Sequence, residues 1–456
     1  MRPIPKVRFD ALAGYARQPL SLFMAQEMAW FEHGNERVLG TLIRDNEDGD
    51  YGGIIMALDR KGRFRCVQVS PFIKSRRHAE VAMRREMESV AHQDAAEYYQ
   101  GDEKGEPLDF FTPVVARERL HPNFAKVAEQ EGFSSARGII KPMMHWYEDP
   151  DGNFVEQFQT TGFDARIWEL YLFAAFTEMG YQIDRAEAIP DFTCKSIGIE
   201  FCVEATTVNA SREGPLSTVP QLDTDEGRIA FMREFMPLKY GSALHTKFKK
   251  KYWEKPNVKG KPLVFAIADF QGGASMIMTR SALHTYLYGY DYDWHKDEAG
   301  CLHIIPRKIE KHSWSTKEIT SGFFNQPGAE NISAVVFNNS GTISKFLRMG
   351  MLAGFGSPRV VLTRIGTAVD HDPNAAEPIA FKHNVNSPNY SETWVEGFDV
   401  FHNPNALHPL EEWMLPGASH HWLLPDKQMR SLTPDWHPLG SMTYISVNES
   451  APVEAN

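Results

Sequence analysis

The segment Ile167-Trp168-Glu169-Leu170-Tyr171-Leu172-Phe173-Ala174-Ala175-Phe176 constrains this chain more than any other. Thr161 or Asp164 can cap a helix here and Gly180 can end one, so the spacing predicts a helix over 160–180. Its apolar residues cover nearly every side, and such a helix has to be buried on several faces. Glu169 sits inside the run. A buried carboxylate needs a partner, either a metal ion or a cation such as Arg166.

A chain of 456 residues is too long for one ordinary core and points to two or three domains. With 42% hydrophobic and 23% charged residues it has the composition of a soluble globular protein. No stretch approaches ~18 consecutive apolar residues, so no membrane partner is expected. The N-terminal segment has no apolar core of a signal peptide, and four scattered cysteines suit neither a disulfide framework nor a zinc knuckle, so a cytoplasmic location is expected. The net charge of -11 excludes a protein that coats nucleic acid by bulk positive charge. Locally the balance reverses: from Lys239 to Lys261 there are eight lysines and one acid, Glu254.

The organisation reads as three parts. Residues 1–150 form an α+β domain, with strands at 37–43, 51–58 and 64–69 as a three-stranded meander and a polar helix from Ser75 to Gln100. Arg76 and Arg77 on that helix suit either a nucleic-acid contact or a solvated face. Residues 151–275 carry the chemistry. Residues 276–456 form a further α+β region with strands at 332–337 and 360–363. There, Lys345, Arg348, Arg359 and Arg364, with Phe346, Phe355 and Trp394, fit nucleic-acid recognition or a protein partner. The end of the chain, from Asn448 to Asn456, is expected to fray.

In the middle part, Tyr181 to Ile183 is a strand, Ile189-Pro190-Asp191-Phe192 follows, and Ile197 to Val208 is a second, strongly β-prone strand. Period-two geometry sends Glu200, Cys202, Glu204 and Thr206 to one face. Antiparallel pairing of the Asp191 segment with this strand would bring Asp191 beside Glu204. Two carboxylates and a backbone carbonyl make the hard oxygen site that Mg²⁺ prefers, and Glu169 would complete it.

This order of helix-Glu, Pro-Asp, Glu-x-Thr strand, lysine-rich helix (Ala243 to Trp253) and strand (Pro262 to Ala268) resembles the PD-(D/E)xK nuclease superfamily. The residues that carry the resemblance are Glu169, Pro190-Asp191 and Glu204-Ala205-Thr206, over roughly 110 residues. It implies an α/β (α+β) fold with a restriction-endonuclease-like αβββαβ core and a mixed central sheet. By resemblance, the chain would be an Mg²⁺- or Mn²⁺-dependent endonuclease, with Asp191, Glu204, the Ala205 carbonyl and Glu169 at the metal. Thr206 stands where the family's lysine would be, which puts catalysis in doubt unless another lysine substitutes. Lys247 borders the apolar stripe Leu244, Phe248, Tyr252 and is the candidate to orient the attacking water, with Thr206 able to hydrogen-bond it. Lys249, Lys250 and Lys251 read as a phosphate-facing or solvated edge. DNA is favoured over RNA, and restriction or anti-phage defence, as a homodimer or with a defence-system partner, rests on family analogy. The alternatives are a catalytically degenerate nuclease fold that binds nucleic acid or acts in assembly, and a metal-dependent enzyme acting on another phosphate ester in a closed pocket.

Other signals carry less. His402 to His408 and His420-His421 lack the spacing of a helical zinc site, and the first reads as a turn-rich loop. The glycines from Gly350 to Gly356 lack a phosphate-loop context, and no nucleophile elbow occurs. Cys194 and Cys202 read as small buried strand residues.

Overall fold

The computed structural model describes residues 1–149, 151–185, 187 and 189–448, so most of the segment expected to fray, 449–456, lies outside the described residues. The chain begins with β1 (Arg2–Pro3), α1 (Lys6–Ala13), α2 (Pro19–Met24), β2 (Ala25–His33), β3 (Val38–Asp45), β4 (Tyr51–Leu58) and β5 (Phe64–Val69). These strands form a five-stranded antiparallel sheet in chain order. The expected meander is β3 to β5. β2 extends it although its sequence alternates poorly, because nearly all its residues are only half-buried. α3 (Arg76–Ala91) lays Ala79, Met83, Met87 and Val90 on this sheet. Gly53 makes the close approach possible, since a Cβ there would come within 2.7 Å of the Met83 side chain. The helix ends earlier than the expected Gln100: Tyr98 folds back, its hydroxyl donating to the Val90 carbonyl.

Four helices follow, α4 (Pro122–Glu129), α5 (Ser134–Trp146), α6 (Phe154–Gln159) and α7 (Phe163–Glu178). In α7 every residue from Ile167 to Phe176 is buried, as its all-round apolar surface requires. The core around it also draws on Ala11, Phe124, Ile139 and Ile140, so packing runs across residue 150.

Next come β6 (Gln182–Asp184), β7 (Phe192–Ser196), β8 (Ile199–Asn209), α8 (Asp225–Ala230), α9 (Met236–Phe248) and β9 (Leu263–Phe270). β6, β7 and β8 are antiparallel neighbours, and β9 joins β8 in parallel after the crossover that such pairing needs. The remainder holds α10 (Arg280–Tyr288), the hairpins β10 (Tyr290–Lys296) with β11 (Leu302–Lys308) and β12 (Lys311–Trp314) with β13 (Lys317–Thr320), then β14 (Ala334–Phe337) and α11 (Ile343–Leu352). It closes with β15 (Val360–Ala368), β16 (Ile379–Asn384), β17 (Asp399–His402), β18 (Ser419–Leu423), β19 (Met429–Leu432) and β20 (Pro438–Val447).

Eight strands form one mixed sheet in the order β19-β18-β17-β14-β9-β8-β7-β6. The expected unit boundary at 275 therefore falls inside the span of a single sheet: β14, β17, β18 and β19 continue what β6 to β9 begin. Burial on both faces explains why β9 reads as an unbroken apolar run. Val264, Ala266 and Ala268 join the α7 core, while Leu263, Phe265 and Ile267 join a second core with Leu244, Leu283 and Phe323. β16-β15-β20 form a separate three-stranded sheet. The fold is thus mixed α+β. Among the described residues no helix is long and apolar enough to cross a membrane.

Candidate active site

The β7–β8 register pairs Phe192 with Val203 and Cys194 with Phe201. One step further out, past the end of β7, Asp191 stands beside Glu204. There the ladder is continued by a side chain: Asp191 Oδ2 accepts the Ala205 N–H at 2.7 Å. The N–H and C=O of one strand residue leave by the same edge, so the Ala205 carbonyl also faces the side of Asp191. Ahead of Asp191 the Ile189–Pro190 peptide is cis, and Asn257 Nδ2 donates to the Ile189 carbonyl at 2.9 Å.

Glu204 is buried and points toward α9. Lys247, near the end of that helix, places Nζ 2.5 Å from Glu204 Oε1. Tyr252 donates its hydroxyl to the same oxygen at 2.7 Å. The chain reverses after the helix through Lys251, in the left-handed region with φ of 49°, and that turn folds Tyr252 back onto the sheet. This contact is not legible in the sequence, because a helical stripe through Leu244, Phe248 and Tyr252 assumes the helix continues. It stops at Phe248.

Glu169 is spoken for by cations. Arg166 Nη1 lies 2.7 Å and 2.8 Å from its two oxygens, Tyr147 donates to Oε2 at 2.8 Å, and Arg185 Nη2 approaches to 3.8 Å. Of the two partners expected for Glu169, a metal ion or a cation, the structure shows the cation: Arg166, one turn earlier on the same helix, contacts both carboxylate oxygens. Among the described residues, no three His, Cys, Asp or Glu side chains converge to hold a metal ion. The site offers two carboxylates, Asp191 and Glu204, with a lysine.

Electrostatics set these groups under tension. Burial, reinforced by the neighbouring Asp191 charge, pushes the Glu204 carboxyl up, against the pull of Lys247 and Tyr252. Burial and Asp191 push Glu169 up in the same way. Burial alone would lower the Lys247 ammonium, but Glu204 and Asp191 outweigh it and hold the proton.

The other expected residues fall around this centre or away from it. Thr206 is half-buried on the face of Glu204. Lys249, Lys250 and Lys251 are exposed just beyond Lys247, and Lys251 pairs with Glu254 at 3.3 Å. Arg76 and Arg77 are exposed on α3, which packs on the N-terminal sheet, and Arg76 pairs with Glu80 on its own helix; the structure does not bring them to the site. The C-terminal cations are not a recognition surface. Lys345, Arg348 and Arg364 are buried against Glu392 and Glu396, and Arg359 pairs with Glu131. Phe346 and Trp394 are core. His402 closes β17 and bonds His420 at 2.9 Å, while His421 and His437 both bond Asp399, which also pairs with Arg280. Cys194 and Cys202 are buried strand residues with free thiols.

One further carboxyl stands out at the end of β9. Asp269 is 1% exposed, its Oδ2 has no partner within hydrogen-bond distance among the described residues, and burial pushes its pKa up to about 6 against the pull of the Gln271 N–H and the Thr279 and Ser275 hydroxyls.

Scans against protein-family models, curated proteins and solved structures each returned no match to this chain.

Proposed function

We propose that this protein is a metal-dependent phosphodiesterase that cleaves nucleic acid, DNA in the first instance, with α7-β6-β7-β8-α9-β9 as a core of the PD-(D/E)xK type. The carrying observation is the meeting of Asp191, Glu204 and Lys247 from three separate elements, with a lysine from α9 supplying what Thr206 lacks. Two carboxylates stand side by side where the β7–β8 ladder ends, and burial with the Asp191 charge pushes Glu204 up, an arrangement in keeping with a functional site.

The donor set fits a hard divalent cation. Mg²⁺ uses one or two carboxylates and completes its shell with water and substrate oxygens, so Asp191, Glu204 and the Ala205 carbonyl would suffice to hold it. Bound there, Mg²⁺ or Mn²⁺ supplies Lewis acidity toward the scissile phosphate. The chain's own residues do the rest. Ala205 N–H fixes the Asp191 carboxylate, and Tyr252 fixes Glu204. Lys247 stays protonated and can donate to the attacking water or to a phosphate oxygen as negative charge builds. Lys249 and Lys250, exposed next to it, give the nucleic-acid backbone a positive edge.

The test is cleavage of plasmid and single-stranded DNA with Mg²⁺ or Mn²⁺ by the wild type, Asp191→Ala, Glu204→Ala and Lys247→Ala. Activity in the wild type, reduced by roughly 10²–10³-fold or more in each variant, is expected. DNA binding without cleavage would instead favour a degenerate nuclease fold that binds nucleic acid. Neither binding nor cleavage would end both readings.

A further inference from the structure

Beside the small sheet β16-β15-β20 lies a concave site, far along the chain from Asp191. A pocket of about 510 Å³ opens beside it, lined in part by Trp436, His383, Tyr390, Glu396 and Lys382. That size lies within the usual range for small-molecule sites. The rings form a wall. His383 lies 5.5 Å from Trp436 and 6.0 Å from Tyr390, and Phe381 backs His383 and Trp436 at 5.0 Å and 5.1 Å. Trp436 keeps 37% of its surface exposed, leaving indole area on which another ring can stack.

Beneath the wall is a buried ionic brace. Glu392 accepts from Lys345 Nζ at 2.7 Å, from Arg348 Nε and Nη2 at 2.8 Å each, and from the Tyr390 hydroxyl at 2.6 Å. Arg364 Nη1 lies 2.5 Å from Glu396 Oε1, while Arg364 Nη2 is buried with no hydrogen-bond partner among the described residues. Burying such a group of charges is no better for stability than packing apolar side chains of the same volume. What the brace does achieve is a carboxylate held in a fixed position against an aromatic wall, the arrangement a binding site needs.

A stacking surface and a fixed carboxylate acceptor match two parts of one chemistry. A planar base stacks, and its N–H edge donates to a carboxylate. We infer that this pocket holds a single nucleobase, stacked on Trp436, with its N–H edge toward Glu396. The base can come from a free mononucleotide or from an unpaired position of a strand; only the second source rests on the proposed function.

Calorimetric titration of the full chain with GMP, AMP, CMP and UMP, with ribose 5-phosphate as the base-free probe, tests the first source. Anisotropy with a single-stranded DNA oligonucleotide and the same strand carrying an abasic position tests the second. Expected is binding that requires the base and weakens at least tenfold in Trp436→Ala and in Glu396→Gln. Glu396→Gln alters a buried pair, so Trp436→Ala, at an exposed side chain, decides the matter if the first variant does not fold. Mononucleotide binding assigns the free nucleotide; binding of the strand alone, lost with the abasic position, assigns the strand. Base binding should persist in Asp191→Ala, so an absence of cleavage counts against the proposed function and not against this pocket. No base-dependent binding of either probe, or an affinity unchanged by Trp436→Ala, overturns the inference.

Discussion

Two clusters of buried charge in this protein settle in opposite directions. Around Glu392, burial opposes ionisation, yet Arg348, Lys345 and Arg364 together hold the carboxyl well below its usual range. Around Glu204, burial and the Asp191 charge win over Lys247 and Tyr252, and the carboxyl is pushed up. In the first cluster the cations outweigh burial at Glu392, and the pairs tie α11 to β15 and to the loop before β17. The second still lacks positive charge. That difference is what separates a brace from a place where chemistry can happen.

The largest effect expected from breaking the comparison is on the brace. Glu392→Ala leaves three buried cations without their shared partner, and unfolding in urea should show a loss of about 3–5 kcal/mol. Glu204→Gln removes one of two crowded carboxylates instead, so its urea midpoint should stay close to that of the wild type while Mn²⁺ binding, followed by calorimetry, is lost.

Asp269 sharpens the contrast, since its carboxyl is buried with no cation in ion-pair contact among the described residues. Its pKa rises from 3.8 to about 6 on folding, so between those values the folded state keeps a proton that the unfolded chain has released. Stability then falls as pH rises through that window and stays lower above it. Asp269→Asn should therefore raise stability by on the order of 2–3 kcal/mol at pH 8, with little change near pH 4, read by thermal melts at both.

A smaller effect concerns the acid side of cation binding. Glu204 must ionise to bind a metal, and its pKa lies above the usual 4.5. Mn²⁺ affinity should begin to fall at a higher pH than for an ordinary glutamate, by up to about tenfold per unit below that point. Affinity that holds steady down to pH 4.5 would contradict this. Tyr252→Phe should have the mildest outcome, costing about 0.5–1.5 kcal/mol and moving that acid limb further up, because one of the bonds favouring ionised Glu204 is gone.

Much of the candidate site was legible because it depends on short-range rules. Period-two alternation placed Glu204 and Thr206 on one face, and a two-strand register placed Asp191 beside Glu204. The position of Lys247 followed from a helical stripe. What escaped the sequence depends on chain reversals and on contacts far apart in the chain. Tyr252 reaches Glu204 through a left-handed turn at Lys251, which carries no special residue to announce it. Tyr147 and Arg185 meet Glu169 from other segments. Exposed-looking basic residues such as Lys345 and Arg348 are interior because their acidic partner, Glu392, lies more than 40 residues away. The same blindness hid the sheet's extent: β14, β17, β18 and β19 are four or five residues long, and nothing local in them says which strand they join.

The placement of β9 has a consequence for how the protein is made. Its two neighbours are β8, already synthesised, and β14, which lies some 70 residues further on. While the chain grows, the residues of the candidate site emerge first, but the open side of β9 remains a row of unpaired amides and carbonyls. It closes only when residues 334–337 arrive, and these in turn await β17 near residue 400. A nascent or truncated chain ending near 275 would thus display a sticky edge strand, apolar from residue 263 to 268 and prone to self-association. Assembly of the candidate site into a stable framework therefore awaits synthesis of β14 and β17.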